Sequence, residues 1–270
     1  MAAFRSILVH MDASPRSVVR LRLAETLASR YDATLSAAYA ATPAAMMGAL
    51  AWGEGSSMLA AAAAEIDADN LRNARARFDQ AGLGWRAEWR ELAGDVPMRA
   101  FTRAALTADL LMLGQYDRSD PGGRIVPSDF AESVVIGSGK PAIVVPCAGD
   151  FVGLWKSVLV AWKPTRESAR AIAAALPLLQ AAQHVHVTAW DGDPREVEPW
   201  LRRHGVTPTF HREPDAGREI GEMILSRTAD LGADLLVMGC YGHGRAREQV
   251  LGGASRTIMD SMTVPVLMAH

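Results

Sequence analysis

The sequence predicts an α/β fold built twice, because two stretches of the chain carry the same motifs in the same order. Residues 108–114, Ala-Asp-Leu-Leu-Met-Leu-Gly, recur at 233–239 as Ala-Asp-Leu-Leu-Val-Met-Gly. An earlier block, Ser-Ile-Leu-Val at 6–9, recurs at 157–160 as Ser-Val-Leu-Val. Such internal repetition indicates a duplicated structural unit. Short apolar runs that alternate with helical patterns predict parallel sheets with helices on both faces.

Composition places the chain among ordinary globular proteins. Its 270 residues are enough for two domains, and 49% hydrophobic with 21% charged residues is typical of globular chains. The net charge of −2 gives no reason to expect nucleic acid or an anionic membrane as a partner. Cys147 and Cys240 form no CxxC pair, which suits a reducing compartment. We find neither a signal peptide nor a membrane-spanning run, so we expect a cytoplasmic protein.

The first half opens with a strand and a helix. Residues 6–11 form a short run rich in β-branched residues, as in a strand buried on both faces. Ser14 is a typical N-cap, and Pro15 suits the first position of a helix. Apolar residues then follow at helical spacing, at Val18, Leu21, Ala24 and Ala28.

The remaining elements of the first half alternate in the same way, strands being short and apolar and helices longer and amphipathic. We predict strands at 34–40, 85–92, 110–113 and 142–145, and helices at 57–80, 95–108 and 128–136.

The second half repeats this plan from Ser157 to Ala269. Its second helix, at about 194–204, is shorter than its counterpart in the first half. Pro177 should kink or stop its first helix, because proline lacks the N–H that a helix interior needs. A short segment with two glycines separates the halves, at 147–155. The predicted domains are residues 1–148 and 154–270.

The strongest chemical signal follows the fourth strand of the second half. Three glycines of that loop remove side chains and expose backbone N–H groups: Gly239, Gly242 and Gly244. Gly252 and Gly253 precede a helix that begins near Ala254, and the N–H groups at such a helix start favour an anion. At the carboxyl edge of a parallel sheet this pattern predicts a phosphate-sized nest. The alternative is a glycine-rich turn chosen only for tight packing.

The spacing Gly239-x2-Gly242-x9-Gly252, followed by a helix and Val-Pro-Val-Leu at 264–267, resembles the universal stress protein family. The resemblance covers both halves and implies a tandem member of that family. It implies two Rossmann-like domains of the adenine nucleotide alpha hydrolase-like type, each a five-stranded parallel sheet of order 3-2-1-4-5 flanked by helices. It also implies that the last strands of the two halves pair as an internal pseudo-dimer, at 142–145 and 266–269. A homodimer and a protein partner of unknown identity stay open.

The resemblance further implies a ligand. In the family the glycine loop cradles the phosphates and ribose of ATP, and an aspartate at the end of the first strand contacts the adenine. The expected ligand is therefore ATP or another adenine nucleotide. Its predicted contacts in the second half are Ala161, Lys163, Gly239, Gly242, His243, Gly244, Gly252, Gly253, Ala254 and Ser255.

Each half keeps only part of that family pattern. In the second half Lys163, a donor, stands in place of the aspartate, and Gly253 replaces a hydroxyl residue. The first half keeps Asp12, but Asp117 stands in place of the second glycine and Pro127 begins the pair that replaces Gly-Ser. We therefore expect little or no ATP in the first half, and weak or altered adenine nucleotide binding in the second.

Several residues allow two interpretations. His184 and His186 share one face of a predicted strand, so they suit a metal or a structural and surface role. His243 either bonds a phosphate or faces solvent, and Trp162 either stacks on a base or packs in the core. The unrepeated segment 43–57 is either a lid or Met-rich contact surface, or an ordinary connection.

Two aspartates precede equivalent central strands, Asp109 and Asp234, and their repetition suggests a structural hydrogen bond. Three functions stay open for the whole chain. The first is a nucleotide-binding stress-response module that senses or signals, and the second is a nucleotide-free scaffold. The third is slow ATP hydrolysis, for which the loop offers neither a general base nor a metal-binding carboxylate. We predict no catalytic residue and no metal ligand.

Overall fold

The computed structural model describes residues 4–44, 46, 57–92, 96–120, 125–151, 153–190, 192–214, 217–240 and 253–270. The first half contains β1 (Ser6–Met11), α1 (Arg16–Tyr31), β2 (Thr34–Tyr39), α2 (Ser57–Gln80), β3 (Ala87–Glu91), α3 (Pro97–Ala105), β4 (Leu110–Gly114), α4 (Phe130–Ser138) and β5 (Ala142–Val145). The second half contains β6 (Ser157–Ala161), α5 (Arg166–Ala181), β7 (His184–Ala189), α6 (Glu198–Arg203), β8 (Thr209–Arg212), α7 (Ile220–Asp230), β9 (Leu235–Gly239), α8 (Ala254–Ser261) and β10 (Val266–Ala269).

The strand order confirms the α/β prediction in both halves. It is β3-β2-β1-β4-β5 in the first and β8-β7-β6-β9-β10 in the second, which is the order 3-2-1-4-5 twice. Pairs β1–β2, β2–β3 and β1–β4 are parallel, as are β6–β7, β7–β8, β6–β9 and β9–β10. Parallel neighbours need crossover helices, and within each half the chain supplies an α-helix between consecutive strands.

The central strands form the cores, as their apolar runs predict. Residues Leu110–Leu113 of β4 and Leu235–Val237 of β9 are fully buried, because helices cover both faces of a parallel sheet. Helices α3 and α4 pack against one another in the first half, and α7 and α8 do so in the second. Among the described helices, none is long and apolar enough to span a membrane.

The last strands of the two halves pair with each other, which confirms the predicted pseudo-dimer contact. Strand β10 lies antiparallel to β5, with Val266 opposite Val144 and Met268 opposite Ala142. By its contacts, segment 139–149 groups with residues 153–270 in one compact unit, while residues 4–138 form the other. Both edges are therefore covered by a neighbour, which removes unpaired backbone groups.

Helix α5 contains Pro177, at which the sequence predicted a kink or a stop. Pro177 does not stop this helix, which continues to Ala181. Proline removes one helical hydrogen bond at a cost of about 3 kcal/mol. Burial of the adjacent Leu176, Leu178 and Leu179 offsets this cost, since a buried leucine stabilises by about 1.5–3 kcal/mol.

The repeated aspartates are structural, as their repetition suggested. Asp109 Oδ2 accepts the backbone N–H groups of Arg5 at 2.8 Å and Ser6 at 3.0 Å. Asp234 accepts those of Lys156 at 2.9 Å and Ser157 at 3.0 Å. Each carboxylate thus joins the start of a first strand to the start of its neighbouring fourth strand.

Candidate functional site

The candidate site lies where the strand order reverses in each half. Connections leave β1 and β4 in opposite directions, so a crevice forms beyond their carboxyl ends, and ligands of open α/β sheets bind in such crevices. In the first half Val9 of β1 lies opposite Met112 of β4. In the second half Ala161 of β6 lies opposite Met238 of β9. Two of the predicted site residues, Ala161 and Gly239, end the strands at this edge of the second half.

Six of the ten predicted ligand contacts belong to the described part of the chain: Ala161, Lys163, Gly239, Gly253, Ala254 and Ser255. The other four lie outside the described residues: Gly242, His243, Gly244 and Gly252. Most of the unrepeated segment 43–57 also lies outside them.

Gly239 ends β9 against the first turn of α5. A Cβ added to it would lie 2.4 Å from the backbone nitrogen of Ser168 and 2.6 Å from the carbonyl carbon of Glu167. No side chain fits at that distance from backbone, so the close helix contact requires glycine here. At Gly239, therefore, close packing against α5 is a sufficient reason for glycine, as in the alternative to a phosphate nest.

The next residue, Cys240, is held in place by strand β10. Its N–H donates to the carbonyl oxygen of Ala269 at 3.0 Å, and its carbonyl oxygen lies 3.1 Å from Nδ1 of His270. Its amide is thus committed within the protein, so an anion at this edge must be bound by other donors.

The N-terminus of α8 supplies such donors. Gly253 is its N-cap, with an extended backbone (φ −81°, ψ 156°), and as a glycine it has no side chain of its own to cap the helix. The Gly253 carbonyl accepts the N–H groups of Arg256 at 3.0 Å and Thr257 at 3.2 Å. The helix start carries the positive end of the dipole, and Ser255 in its first turn is buried.

The end of β6 also presents donors. Ala161 is buried, whereas Lys163 is exposed, and the Lys163 N–H donates to Ser168 Oγ at 3.3 Å. The backbone N–H of Trp162 donates to the Thr188 carbonyl at 2.8 Å, which joins the ends of β6 and β7. Indole Nε1 atoms of Trp162 and Trp190 are buried and have no hydrogen-bond partner among the described residues.

One carboxylate lies near these donors. The Glu167 side chain is 4% exposed, and its carboxylate bonds to Nε of Arg166, which balances its charge. Because Glu167 is in the first turn of α5, the helix dipole also stabilises this negative charge. Sequence reasoning missed Glu167, whose only signal was its position beside the N-cap Thr165.

The equivalent crevice of the first half is filled by its own side chains. Asp12 accepts the N–H of Ser14 at 2.8 Å and Nη2 of Arg20 at 2.7 Å. Arg20 also donates from Nε to the His10 carbonyl at 3.2 Å. Burial by itself raises the pKa of Asp12, but the Arg20 guanidinium, His10 and the Ser14 hydrogen bond lower it below its usual value. The first half thus keeps Asp12, as the sequence suggested, but the carboxylate oxygens of Asp12 already accept hydrogen bonds from Ser14 and Arg20.

Asp117, beyond the end of β4, adds negative charge to the first half. It accepts the Ser119 N–H at 2.8 Å and the Ser119 hydroxyl at 2.6 Å. These bonds lower the pKa of Asp117, so it stays ionised near neutrality. A phosphate would be repelled there, which supports the prediction of little or no ATP in this half.

His10 and Arg20 were also missed by sequence reasoning. His10 is 1% exposed; its Nε2 bonds the Ala40 carbonyl at 2.7 Å, and its ring lies 4.3 Å from that of Phe130. Burial is the main reason that the pKa of His10 falls to about 4. Arg20 had one signal, since it interrupts the apolar stripe of α1 between Ser17 and Ala24.

The two histidines of β7 differ from one another. His184 is exposed, while Nδ1 of His186 lies 3.1 Å from Nε2 of His211. Arg227 Nη2 lies 3.3 Å from the other nitrogen of His211. Within the described part of the chain no three potential ligands come together for a metal ion. The structural interpretation of His186 fits this hydrogen-bonded chain.

Comparison with known proteins adds the family. The model of the universal stress protein family matches residues 3–146 and again residues 154–270. No curated protein matches the chain significantly. A universal stress protein from Archaeoglobus fulgidus has a similar structure, with a TM-score of 0.69 and 19% identity over 98% of this chain and 96% of its own.

Two further structures are similar. A functionally unknown protein from Pseudomonas aeruginosa has a TM-score of 0.59 and 14% identity, over 98% of this chain and 92% of its own. A universal stress protein in complex with cAMP covers 53% of this chain and 97% of its own, at 25% identity and a TM-score of 0.34. The family match extends over nearly the whole sequence and repeats at the observed duplication. The chain therefore belongs to the universal stress protein family and carries its domain twice.

Proposed function

We propose that this protein is a stress-response module that binds an adenine nucleotide, such as ATP, at the second-domain crevice and signals its presence without chemical turnover. The ligand's phosphates would lie at the N-terminus of α8 and its base near the ends of β6 and β7. Lys163, Trp162 and Ser255 would then be its side-chain contacts. Family membership supports the fold of this site, and the second domain's own donors support an anionic ligand rich in acceptors.

One observation carries the proposal: buried donors without partners collect at one edge of the second domain. Trp190 is 6% exposed and Thr188 is fully buried, and neither Nε1 of the indole nor the Thr188 hydroxyl has a partner among the described residues. Trp162 Nε1 is in the same state. Each unsatisfied buried donor costs about 1–3 kcal/mol, so this edge suits a ligand that supplies acceptors.

These donors lie at or just beyond the carboxyl ends of β6 and β7. Thr188 lies opposite Ala161 in the β6–β7 register, and Trp190 follows β7 directly. The equivalent positions of the first domain are the apolar Ala38 and Ala40, which offer no side-chain donor. The donor side chains of Thr188 and Trp190 are therefore specific to the domain for which we propose binding.

The nucleotide-free scaffold is the second candidate, and a specific observation favours it. The Cys240 N–H is bonded to Ala269, and the Gly239 Cα is covered by the start of α5. These two backbone positions therefore add little to a phosphate nest. In that case the domains would act through protein contacts. The cytoplasmic location and a homodimer stay predictions.

Substitution at Gly253 separates the two candidates. Its extended backbone suits aspartate and asparagine, both preferred N-cap residues, so neither Gly253→Asp nor Gly253→Asn should destabilise α8. Aspartate adds negative charge where a phosphate would bind, while asparagine is its neutral match. Titration calorimetry with ATP should show binding by the wild type, and Gly253→Asp should weaken it at least about tenfold more than Gly253→Asn does.

Two outcomes would contradict the proposal. If the wild type and both variants give no heat at any temperature tested, the scaffold is the better account. If Gly253→Asp binds ATP as tightly as Gly253→Asn does, the phosphates do not lie at α8. Phosphate release during the titration would instead indicate hydrolysis.

A further inference from the structure

We infer that Arg20 occupies the crevice of the first domain as an internal cation that excludes a ligand, so that the chain holds one nucleotide site. This inference rests on the proposed function for the identity of the ligand. The contacts that fill the crevice all belong to the first domain.

The guanidinium of Arg20 reaches both strands that border the crevice. On the β1 side, Nε donates to the His10 carbonyl at 3.2 Å and Nη2 to Asp12 at 2.7 Å. On the β4 side, Nη1 lies 2.4 Å from where a Cβ of Gly114 would be. The planar group therefore lies between the carboxyl ends of β1 and β4, the position where a ligand of this fold class binds.

Both carboxylate oxygens of Asp12 accept hydrogen bonds from within the protein. Asp12 Oδ2 is bonded to Arg20, and Oδ1 accepts the Ser14 N–H at 2.8 Å. The Arg20 and Asp12 side chains are only 4% and 8% exposed. A ligand that displaced Arg20 from Asp12 would leave a buried charge without its partner, which is strongly unfavourable.

The second domain differs at both members of the pair. With Ser17 equivalent to Ser168, Ala171 corresponds to Arg20 and Lys163 to Asp12. Ala171 is fully buried and carries no charge. The arginine that fills the first crevice thus has no counterpart in the second. In our inference, these two side-chain differences explain why a ligand is excluded from the first crevice alone.

The number of sites tests the inference directly. Calorimetric titration of the full chain with ATP should give one site per chain, and Gly253→Asp should remove that site and reveal no other. Two sites in the wild type would overturn the inference, as would a site that persists in Gly253→Asp and is lost in Asp12→Asn. If the wild type binds no ATP, the proposed function fails, and the inference then depends on the next experiment.

Chemical rescue tests the internal cation without any nucleotide. Arg20→Ala should lower the thermal midpoint, and millimolar guanidinium chloride should raise it again relative to sodium chloride at equal ionic strength. Arg72→Ala is the matched control, because the Arg72 side chain is 67% exposed. Its midpoint should fall slightly or not at all, and guanidinium should not raise it.

Two results of the rescue would overturn the inference. One is an Arg20→Ala protein as stable as the wild type. The other is a folded, destabilised variant that guanidinium fails to rescue. If Arg20→Ala does not fold, Arg20→Lys serves instead, since it keeps the positive charge but replaces the planar guanidinium with a compact ammonium. A lysine variant with the wild-type midpoint would contradict the role of the guanidinium.

Discussion

At the scale of residues, three side chains at the end of β1 distinguish the two domains. His10, Asp12 and Arg20 form a buried polar group, whose equivalents in the second domain are Ala161, Lys163 and Ala171. The backbone of the strand is the same in both, so fold does not decide the chemistry of either crevice. The side chains decide whether the polar groups at this edge of the sheet bond to one another or remain as donors for a ligand.

His10 predicts how stability depends on pH. Burial lowers its pKa to about 4 in the folded protein, against 6.5 in the unfolded chain. Between these values the unfolded chain binds more protons, so the free energy of unfolding falls as the pH decreases. The loss should total about 3 kcal/mol from pH 6.5 to pH 4. Urea denaturation at several pH values measures it.

The matched variant for this prediction is His10→Gln, whose amide can still donate to the Ala40 carbonyl. Asp12 and Arg20 face His10, and Arg20 and His10 hold the pKa of Asp12 below its usual value despite its burial. His186 and His211 also have lowered pKa values and contribute in the same direction in both proteins. The variant should therefore lose part of the slope. Identical slopes in the two proteins would show that His10 is not buried in its neutral form.

At the scale of elements, the glycine that ends β9 allows helix α5 to lie close to the sheet. Gly239→Ala places a Cβ 2.4 Å from backbone, where only movement of α5 relieves the overlap. We expect a loss of about 1–3 kcal/mol in the free energy of unfolding. Chemical denaturation of the variant and the wild type gives this difference.

Gly137→Ala is the control for that prediction. Gly137 lies in α4, and an added Cβ would meet only the Thr102 methyl group, at 3.1 Å. Alanine is also the better helix former by about 1 kcal/mol. This variant should be neutral or slightly stabilised. Equal losses in both variants would mean that the contact of α5 with Gly239 is not close.

Most elements followed from local patterns of the sequence. The strand at 6–11 and the helix at 57–80 have the predicted bounds, because β-branched runs and alanine-rich segments have strong local preferences. Pro177 does not stop α5, because local preference is weaker than the burial of three neighbouring leucines. Arg20 could not be placed, since nothing local shows that a charge in an apolar stripe meets a carboxylate eight residues earlier.

At the scale of the whole molecule, the sequence predicted the duplication of the domain, but it predicted only part of the difference between the two crevices. Repeated motifs predicted two domains, and the resemblance to the family implied the pairing of β5 with β10. Lys163 and Asp117 showed from the sequence that each half departs from the family pattern. The ion pair of Asp12 with Arg20 depends on how α1 packs on β1. The burial of the unpartnered indoles depends on packing as well, so neither feature could be predicted from the spacing of residues along the sequence.

The central claim is that one crevice is open to an anion and the other is filled by the protein. An NMR titration of uniformly 15N-labelled protein with ATP tests it most directly, because each backbone amide reports on its own surroundings. We predict saturable shifts for the amides of Lys163 and of Ala254 to Arg256 at the start of α8, and none for Ser14 to Arg20. Saturable shifts at Ser14 to Arg20, with the start of α8 unchanged, would contradict the account.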